Sequence, residues 1–194
     1  GSRIVTKWGG TTILQDVLGT GGRVGFIADQ NAGDDGLFVP FFNKLASSYK
    51  SIAILAMRYR APVVVALARR IGAEIEYELI YTDMIMPEDW DAQPDPIFYI
   101  TARFNRGLEQ AVQLAPEQYL WIHRRWKSRP KFEREGKPMP ARMAEKLRSL
   151  PWITEANLEI ILERSRAQAA QIAESAVATS PQLPEQQAVL PNAP

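Results

Sequence analysis

Residues 62–68 read Pro-Val-Val-Val-Ala-Leu-Ala, an unbroken apolar and β-branched run closed by Arg69 and Arg70. A strand wet on one face alternates apolar with polar side chains, so a continuous run predicts burial on both faces, at the centre of a sheet. Downstream, residues 73–81 set Ile75, Tyr77, Leu79 and Tyr81 against Glu74, Glu76 and Glu78, the period of two of a strand with one wet face. Upstream, Ser47 stands as N-cap to a helix reaching about Tyr59, with Ile52, Leu55, Ala56 and Tyr59 on one side. Residues 96–114 repeat that pattern, with Ile97, Ile100, Phe104, Leu108 and Ala111 facing inward. Strands alternating with helices predict an α/β fold with a parallel or mixed sheet flanked by helices.

Further out, residues 11–18 predict a short helix capped by Thr11 or Thr12 and stopped by the glycines at 19–22. Residues 23–28, RVGFIA, predict a short buried strand ending on Asp29-Gln30. A loop follows at 31–36, then an apolar strand or groove wall at 37–42, and residues 82–94 read as a polar loop. Residues 131–140 hold five charges, two prolines and a glycine and read as a linker. Residues 141–150 predict a short helix. Thr154 or Asn157 caps a longer one, with Leu158, Ile161, Leu162, Ser165, Ala169, Ile172 and Ala173 as its docking stripe. Four prolines without periodicity at 177–194 predict a disordered tail. The expected division is 1–130, 131–176 and 177–194.

A net charge of +1 over 194 residues leaves any electrostatic function to local clusters. Zero cysteines exclude a disulfide scaffold and thiolate metal sites. The sequence opens on Gly1-Ser2-Arg3 and runs at once into Ile4-Val5-Thr6, the pattern of a domain interior, so the chain reads as a fragment. Gly19-x-Gly21 follows a helix and precedes a strand, the reverse of a dinucleotide fingerprint. Asp29-x-Asn31 with Asp34-Asp35 has the wrong spacing for a calcium loop, because Gly33 stands where a ligand belongs. No metal or cofactor is expected.

The densest chemical signal is PEQYLWIHRRWKSRP at 116–130. Tyr119, Trp121 and Trp126 offer apolar contact area, while Arg124, Arg125, Lys127 and Arg129 offer cations for phosphate. The plainer reading is a capped helix end with snorkelling cations. Asp29 and Gln30, at a strand end, either reach a ligand crevice or cap a turn. Arg69 and Arg70 either reach the same rim or end a strand in solvent. His123, the sole histidine, has Ser128 five positions on, so positioning or phosphate donation suits it better than base catalysis.

In order, GRVGFIADQ (22–30), GLFVPFF (36–42), PVVVALARR (62–70), NRGLE (105–109) and the 116–130 block resemble the bacterial lipid A biosynthesis acyltransferases. These are lauroyl or myristoyl transferases of the lysophospholipid acyltransferase-like superfamily, and the likeness covers about residues 8–130. It implies a glycerol-3-phosphate acyltransferase-like mixed sheet and an enzyme on the cytoplasmic face of the bacterial inner membrane. The implied reaction moves a fatty acyl chain from acyl carrier protein to a hydroxyl of a phosphorylated membrane glycolipid. The family's H-x4-D/E base lies upstream of the resembling region, so no catalytic residue is assigned in this chain, which alone is expected to be inactive. The implied substrate-binding residues are Asp29, Gln30, Phe41, Phe42, Arg69, Arg70, His123, Arg124, Arg125, Trp126 and Lys127. Asn43 and Arg60 stand where the family usually carries glycine, and Val65 where it carries proline. Phosphatidylinositol mannoside acyltransferases share the superfamily. A rival reading makes the basic 123–134 run a non-catalytic grip for nucleic acid or anionic membrane; the balance of charge elsewhere argues against nucleic acid.

Overall fold

The computed structural model of the chain describes residues 4–5 and 10–179. In chain order the elements are α1 (Gly10–Gly19), β1 (Leu37–Phe41), β2 (Lys44–Ser48), α2 (Lys50–Tyr59), β3 (Val63–Arg70), β4 (Tyr77–Ile85), α3 (Pro87–Asp91), α4 (Pro96–Leu114), α5 (Lys131–Arg134), α6 (Ala141–Arg148) and α7 (Glu155–Thr179). Two 3-10 turns, Pro116–Gln118 and Trp121–His123, follow α4. The expected tail lies, from residue 180 on, outside the described residues.

The α/β class is present, but the strands form two separate antiparallel ribbons, β1–β2 and β3–β4, in place of one mixed sheet. No parallel pair occurs among the described residues. Hairpin connections dictate this: Phe42-Asn43 joins Phe41 to Lys44, and the 71–76 turn brings Arg70 opposite Tyr77. α4 packs against both ribbons and carries the core between them. Asp95 caps α4, its carboxylate accepting the Phe98 N–H at 3.0 Å. Gly107 lets α4 approach β3, since a Cβ there would sit 3.1 Å from Val65.

Several expectations give way. β3 is not buried on both faces: Val65 is buried while Val64 is 45% exposed, because α4 covers one side only. β4 begins at Tyr77, and the apolar side chains Tyr77, Leu79 and Tyr81 face outward, since buried Val65 and Ile85 turn the opposite face to the core. Residues 23–28 form no strand among the described residues, and Ile27 is exposed. Ser47 lies within β2, where the Arg125 guanidinium reaches its carbonyl, so α2 starts at Lys50 with Tyr49 as N-cap and no side-chain cap bond. Residues 82–94 continue β4 to Ile85 and then form α3. The 131–140 stretch is not a free linker. It opens as α5, whose Glu133 is fully buried against α7.

The α7 stripe docks within the chain, with Leu158, Ile161, Ser165 and Ala169 buried. Fully burying an aliphatic side chain contributes about 1.5–3 kcal/mol. Thr154 and Asn157 cap its start together: Thr154 Oγ1 accepts the Asn157 N–H at 3.1 Å and donates to Asn157 Oδ1 at 2.7 Å. Both glycine departures fall at left-handed positions, Asn43 at φ 53° and Arg60 at φ 50°. Glycine is the ordinary tenant of such turns and C-caps. Arg60 holds its place with a fork onto Asp91 at 2.6 and 2.9 Å.

Candidate functional site

The site forms where segment 28–31, the β1–β2 turn, the inner face of α4 and the loop after α4 meet. Sequence-distant segments are tied by hydrogen bonds. Tyr119 Oη donates to the Asp29 carbonyl at 3.3 Å, and Gln30 Nε2 lies 3.4 Å from His123 Nε2. Asn31 Nδ2 donates to Ser128 Oγ at 3.2 Å, and the Ser128 N–H donates to Asn31 Oδ1 at 3.4 Å. Segment 29–31 and the loop after Ile122 therefore lie side by side.

An aromatic wall stands behind them. Phe41 is buried, with ring centroids 4.9 Å from Phe42, 5.6 Å from Trp126 and 6.4 Å from Tyr119. Phe42 occupies the left-handed region at φ 52°, an unfavourable place for a bulky L-residue. It is held from both sides: its N–H donates to Glu109 Oε1 at 2.8 Å, and its carbonyl accepts from Arg164 Nη1 at 2.7 Å. Burial pushes the Glu109 carboxyl above its ordinary range, partly offset by the Phe42 N–H and Arg106. The Tyr119 phenol is likewise raised by burial and by the Asp29 carboxylate, with Arg125 opposing.

Arg125 lies beneath this wall and is only 2% exposed, with its guanidinium carbon 5.2 Å from the Phe41 ring centroid. The sequence offers it as a cation for phosphate. The structure turns it inward, where it donates to the Ser47 carbonyl, to Ser48 Oγ at 2.6 Å and to Asn105 Oδ1 at 2.8 Å. Its bonded partners are neutral. Burial pushes its pKa down to about 10, against the pull of Tyr119, Asp29 and Tyr49. Arg125 Nε and Trp126 Nε1 are buried donors that bond to no atom among the described residues. Arg125 is thus a buried positive charge beneath the aromatic wall, bonded only to neutral partners.

An apolar cavity of about 280 Å³ lies between α1, α2, β3 and α4, close to the ~300 Å³ lower end for small-molecule sites. Leu18 of α1, Phe26, Ile52 and Leu55 of α2, Val65 of β3 and Phe104 of α4 line it. Ala28 and Leu108 are shared walls: Ala28 precedes Asp29, and Leu108 also packs on the Phe41 cluster. A second, polar cleft between β4, α4 and Trp152 is a packing feature, because Arg103 there forks onto Asp83 at 2.9 and 3.0 Å.

Asp29, Gln30, Phe41, Phe42, His123, Arg125 and Trp126 are therefore brought together. Arg124 and Lys127 are exposed beside them and make no ion pair among the described residues. Arg69 and Arg70 point elsewhere. Arg69 pairs across the ribbon with Glu78, while the Arg70 guanidinium bonds the Ala73 and Glu74 carbonyls. Only the Arg70 backbone approaches the rim, bonding Gln118 through its N–H at 2.8 Å and its carbonyl at 3.1 Å. The 123–134 run offers no continuous basic face. Arg125 and Arg129 are buried, Arg134 pairs with Asp34, and Lys131 lies 3.6 Å from Glu135.

Sequence reading missed the supporting residues Asn31, Asn105, Glu109 and Ser128. Asn105 and Glu109 were within reach, being four residues apart and so on one face of α4.

Comparison with known proteins gives the family. The family described as bacterial lipid A biosynthesis acyltransferase matches residues 1–128. The chain is 32% identical over 127 residues to the lipid A biosynthesis palmitoleoyltransferase of Escherichia coli (strain K12), covering 62% of this chain and 40% of that protein. It is 33% identical over 103 residues to the lipid A biosynthesis lauroyltransferase of the same organism, covering 53% and 31% respectively. The chain thus spans two fifths or less of the length of these relatives. The collinear blocks at 22–42, 62–70 and 105–128 fall inside the match, and the chain belongs to the bacterial lipid A biosynthesis acyltransferase family.

Proposed function

We propose that this chain is the lipid-binding portion of an acyltransferase that moves a fatty acyl chain from acyl carrier protein to a hydroxyl of a lipid A-type glycolipid at the bacterial inner membrane. One observation carries the reading: an apolar cavity is walled by Ala28, next to Asp29, and by Leu108, which also packs on the Phe41 cluster above buried Arg125. Such a trough suits an acyl chain beside a phosphorylated headgroup. Two relatives named for acyl transfer in lipid A biosynthesis support the substrate class. In the complete enzyme we place β3–β4 within a glycerol-3-phosphate acyltransferase-like mixed sheet, a reading supported by the exposed apolar face of that ribbon.

In this scheme the trough supplies orientation, which raises the effective concentration of the reacting hydroxyl. The general base comes from outside these residues, because His123 faces the Gln30 amide and has Ser128, not a carboxylate, five positions on. The test uses the purified 194-residue chain and a fluorescent fatty acyl probe. The chain is expected to bind the probe and to transfer no acyl group from acyl carrier protein. Ala66→Trp, at an exposed β3 position lining the cavity, is expected to weaken binding at least tenfold. Equal probe affinity in wild type and Ala66→Trp would remove the acyl trough, and detectable transfer would remove the missing-base argument.

A further inference from the structure

The loop between α4 and α5 carries a feature that the trough does not use. Leu120, Trp121 and Ile122 are consecutive and are 53, 52 and 80% exposed. They are held out by an ordered scaffold. Trp121 Nε1 donates to the Pro116 carbonyl at 2.9 Å, and the Trp121 ring meets inward-facing Tyr119 edge-on at 4.8 Å. The His123 N–H donates to the Leu120 carbonyl at 3.1 Å, and the Lys127 N–H to the Arg124 carbonyl at 2.8 Å. Three neighbouring apolar side chains fixed in water mark a contact surface.

The flanking charges select the contact. Arg124 and Lys127 are exposed and make no ion pair among the described residues, and Glu117 is the one acidic residue of the 116–130 sequence. Lysine is depleted from protein interfaces. An apolar tip with an indole at its centre and cations at its edge matches a bilayer: tryptophan at headgroup depth, aliphatic chains beneath it, cations on the phosphates. Among the described residues no helix is long and apolar enough to cross a membrane.

We infer that Leu120, Trp121 and Ile122, with Arg124 and Lys127, form a membrane-docking tip that seats in the interface of an anionic bilayer. It rests on the lipid-enzyme reading, and it sets the trough mouth, through His123 and Trp126 of the same loop, at the surface where a lipid headgroup lies.

The experiment is co-sedimentation of the full chain with vesicles of phosphatidylcholine alone and of phosphatidylcholine mixed with phosphatidylglycerol. Wild type is expected to sediment with the mixed vesicles and to shift its tryptophan emission to the blue, a shift lost in Trp121→Phe. Leu120→Ser with Ile122→Ser is expected to lower partitioning at least tenfold. Arg124→Ser with Lys127→Ser is expected to lower it about fivefold per cation on anionic vesicles alone. Wild-type circular dichroism in each variant shows that folding is intact. A wild-type chain that stays in the supernatant with both vesicles points to a protein covering the tip and overturns the inference, as do variants that partition like wild type. Leu120 and Ile122 lie outside the acyl-probe cavity, so Leu120→Ser with Ile122→Ser is expected to keep probe binding while it loses vesicle binding. A wild-type chain that binds vesicles without binding the probe counts against the trough and not the tip.

Discussion

Replacing Arg125 with methionine separates the charge under the site from the volume that fills it. The guanidinium makes hydrogen bonds to Ser47, Ser48 and Asn105, each contributing about 1 kcal/mol net. Against these stands the burial that pushes its pKa down to about 10, equivalent to about 3 kcal/mol. Its acceptors are not stranded. The Ser47 carbonyl keeps the Ala32 N–H at 3.2 Å, and Asn105 Oδ1 keeps the Ser48 hydroxyl at 3.2 Å. The two effects nearly cancel, so Arg125→Met is expected to change stability by less than about 2 kcal/mol. That corresponds to a melting shift below about 8 °C for a chain of this size. Ligand binding should respond differently. Two unit charges 4 Å apart interact by about 4 kcal/mol at an effective dielectric of 20, and by about 2 kcal/mol at twice that separation. Binding of a phosphorylated glucosamine lipid should therefore fall about thirtyfold, while its dephosphorylated analogue binds as before. Circular dichroism melting with paired titrations of the two lipids in detergent micelles reads both. A variant that keeps the preference for the phosphorylated lipid, or one that loses more than about 5 kcal/mol, refutes the argument.

Two further outcomes test the frame around the site. Glu133 is fully buried and accepts from Arg129 Nε at 2.7 Å and Ser165 Oγ at 2.7 Å, joining α5 to α7. Glu133→Ala strands a buried guanidinium and should cost about 3–5 kcal/mol, a melting drop of roughly 10–15 °C; a loss under about 1 kcal/mol would mean that α7 is not docked. Burial alone would raise the Asp95 carboxyl, but Lys146, the Phe98 N–H and Arg142 outweigh it and hold it below its ordinary value. Its contribution is therefore complete above the unfolded value near about 3.9 and is lost as pH falls through the lower folded one. Acid melting curves of Asp95→Asn should be flatter in that window than wild type, whereas buried Glu109, with its raised value, acts in the opposite sense. Superimposable curves would count against the Asp95–Lys146 pair.

The helices were legible because their signals are local. The inward positions of α4, the Thr154–Asn157 cap and the α7 stripe follow from a period near 3.6 and from capping chemistry. The strands were less so. The apolar run of β3 signals strand in either arrangement, but whether it lies at the centre of a sheet or in a two-stranded ribbon depends on what covers each face, which is a long-range matter. The alternation in β4 marked two faces and could not say which of them α4 would take. The short β2, KLASS, lacked a pattern because its polar serines are buried by partners far along the chain, Arg125 among them.

Residue order alone determined the chemical stock of the site and the family: the aromatic-basic block, Asp29-Gln30 and Phe41-Phe42 are recognisable without coordinates. Tertiary structure decided which of these meet. Arg69, Arg70 and Arg125 are alike on paper as cations beside apolar segments. Packing commits the first two to the β3–β4 ribbon and buries the third under Phe41. The physical reason is that a guanidinium takes whichever carbonyls and carboxylates the fold sets within its reach, and those acceptors are supplied by distant parts of the chain.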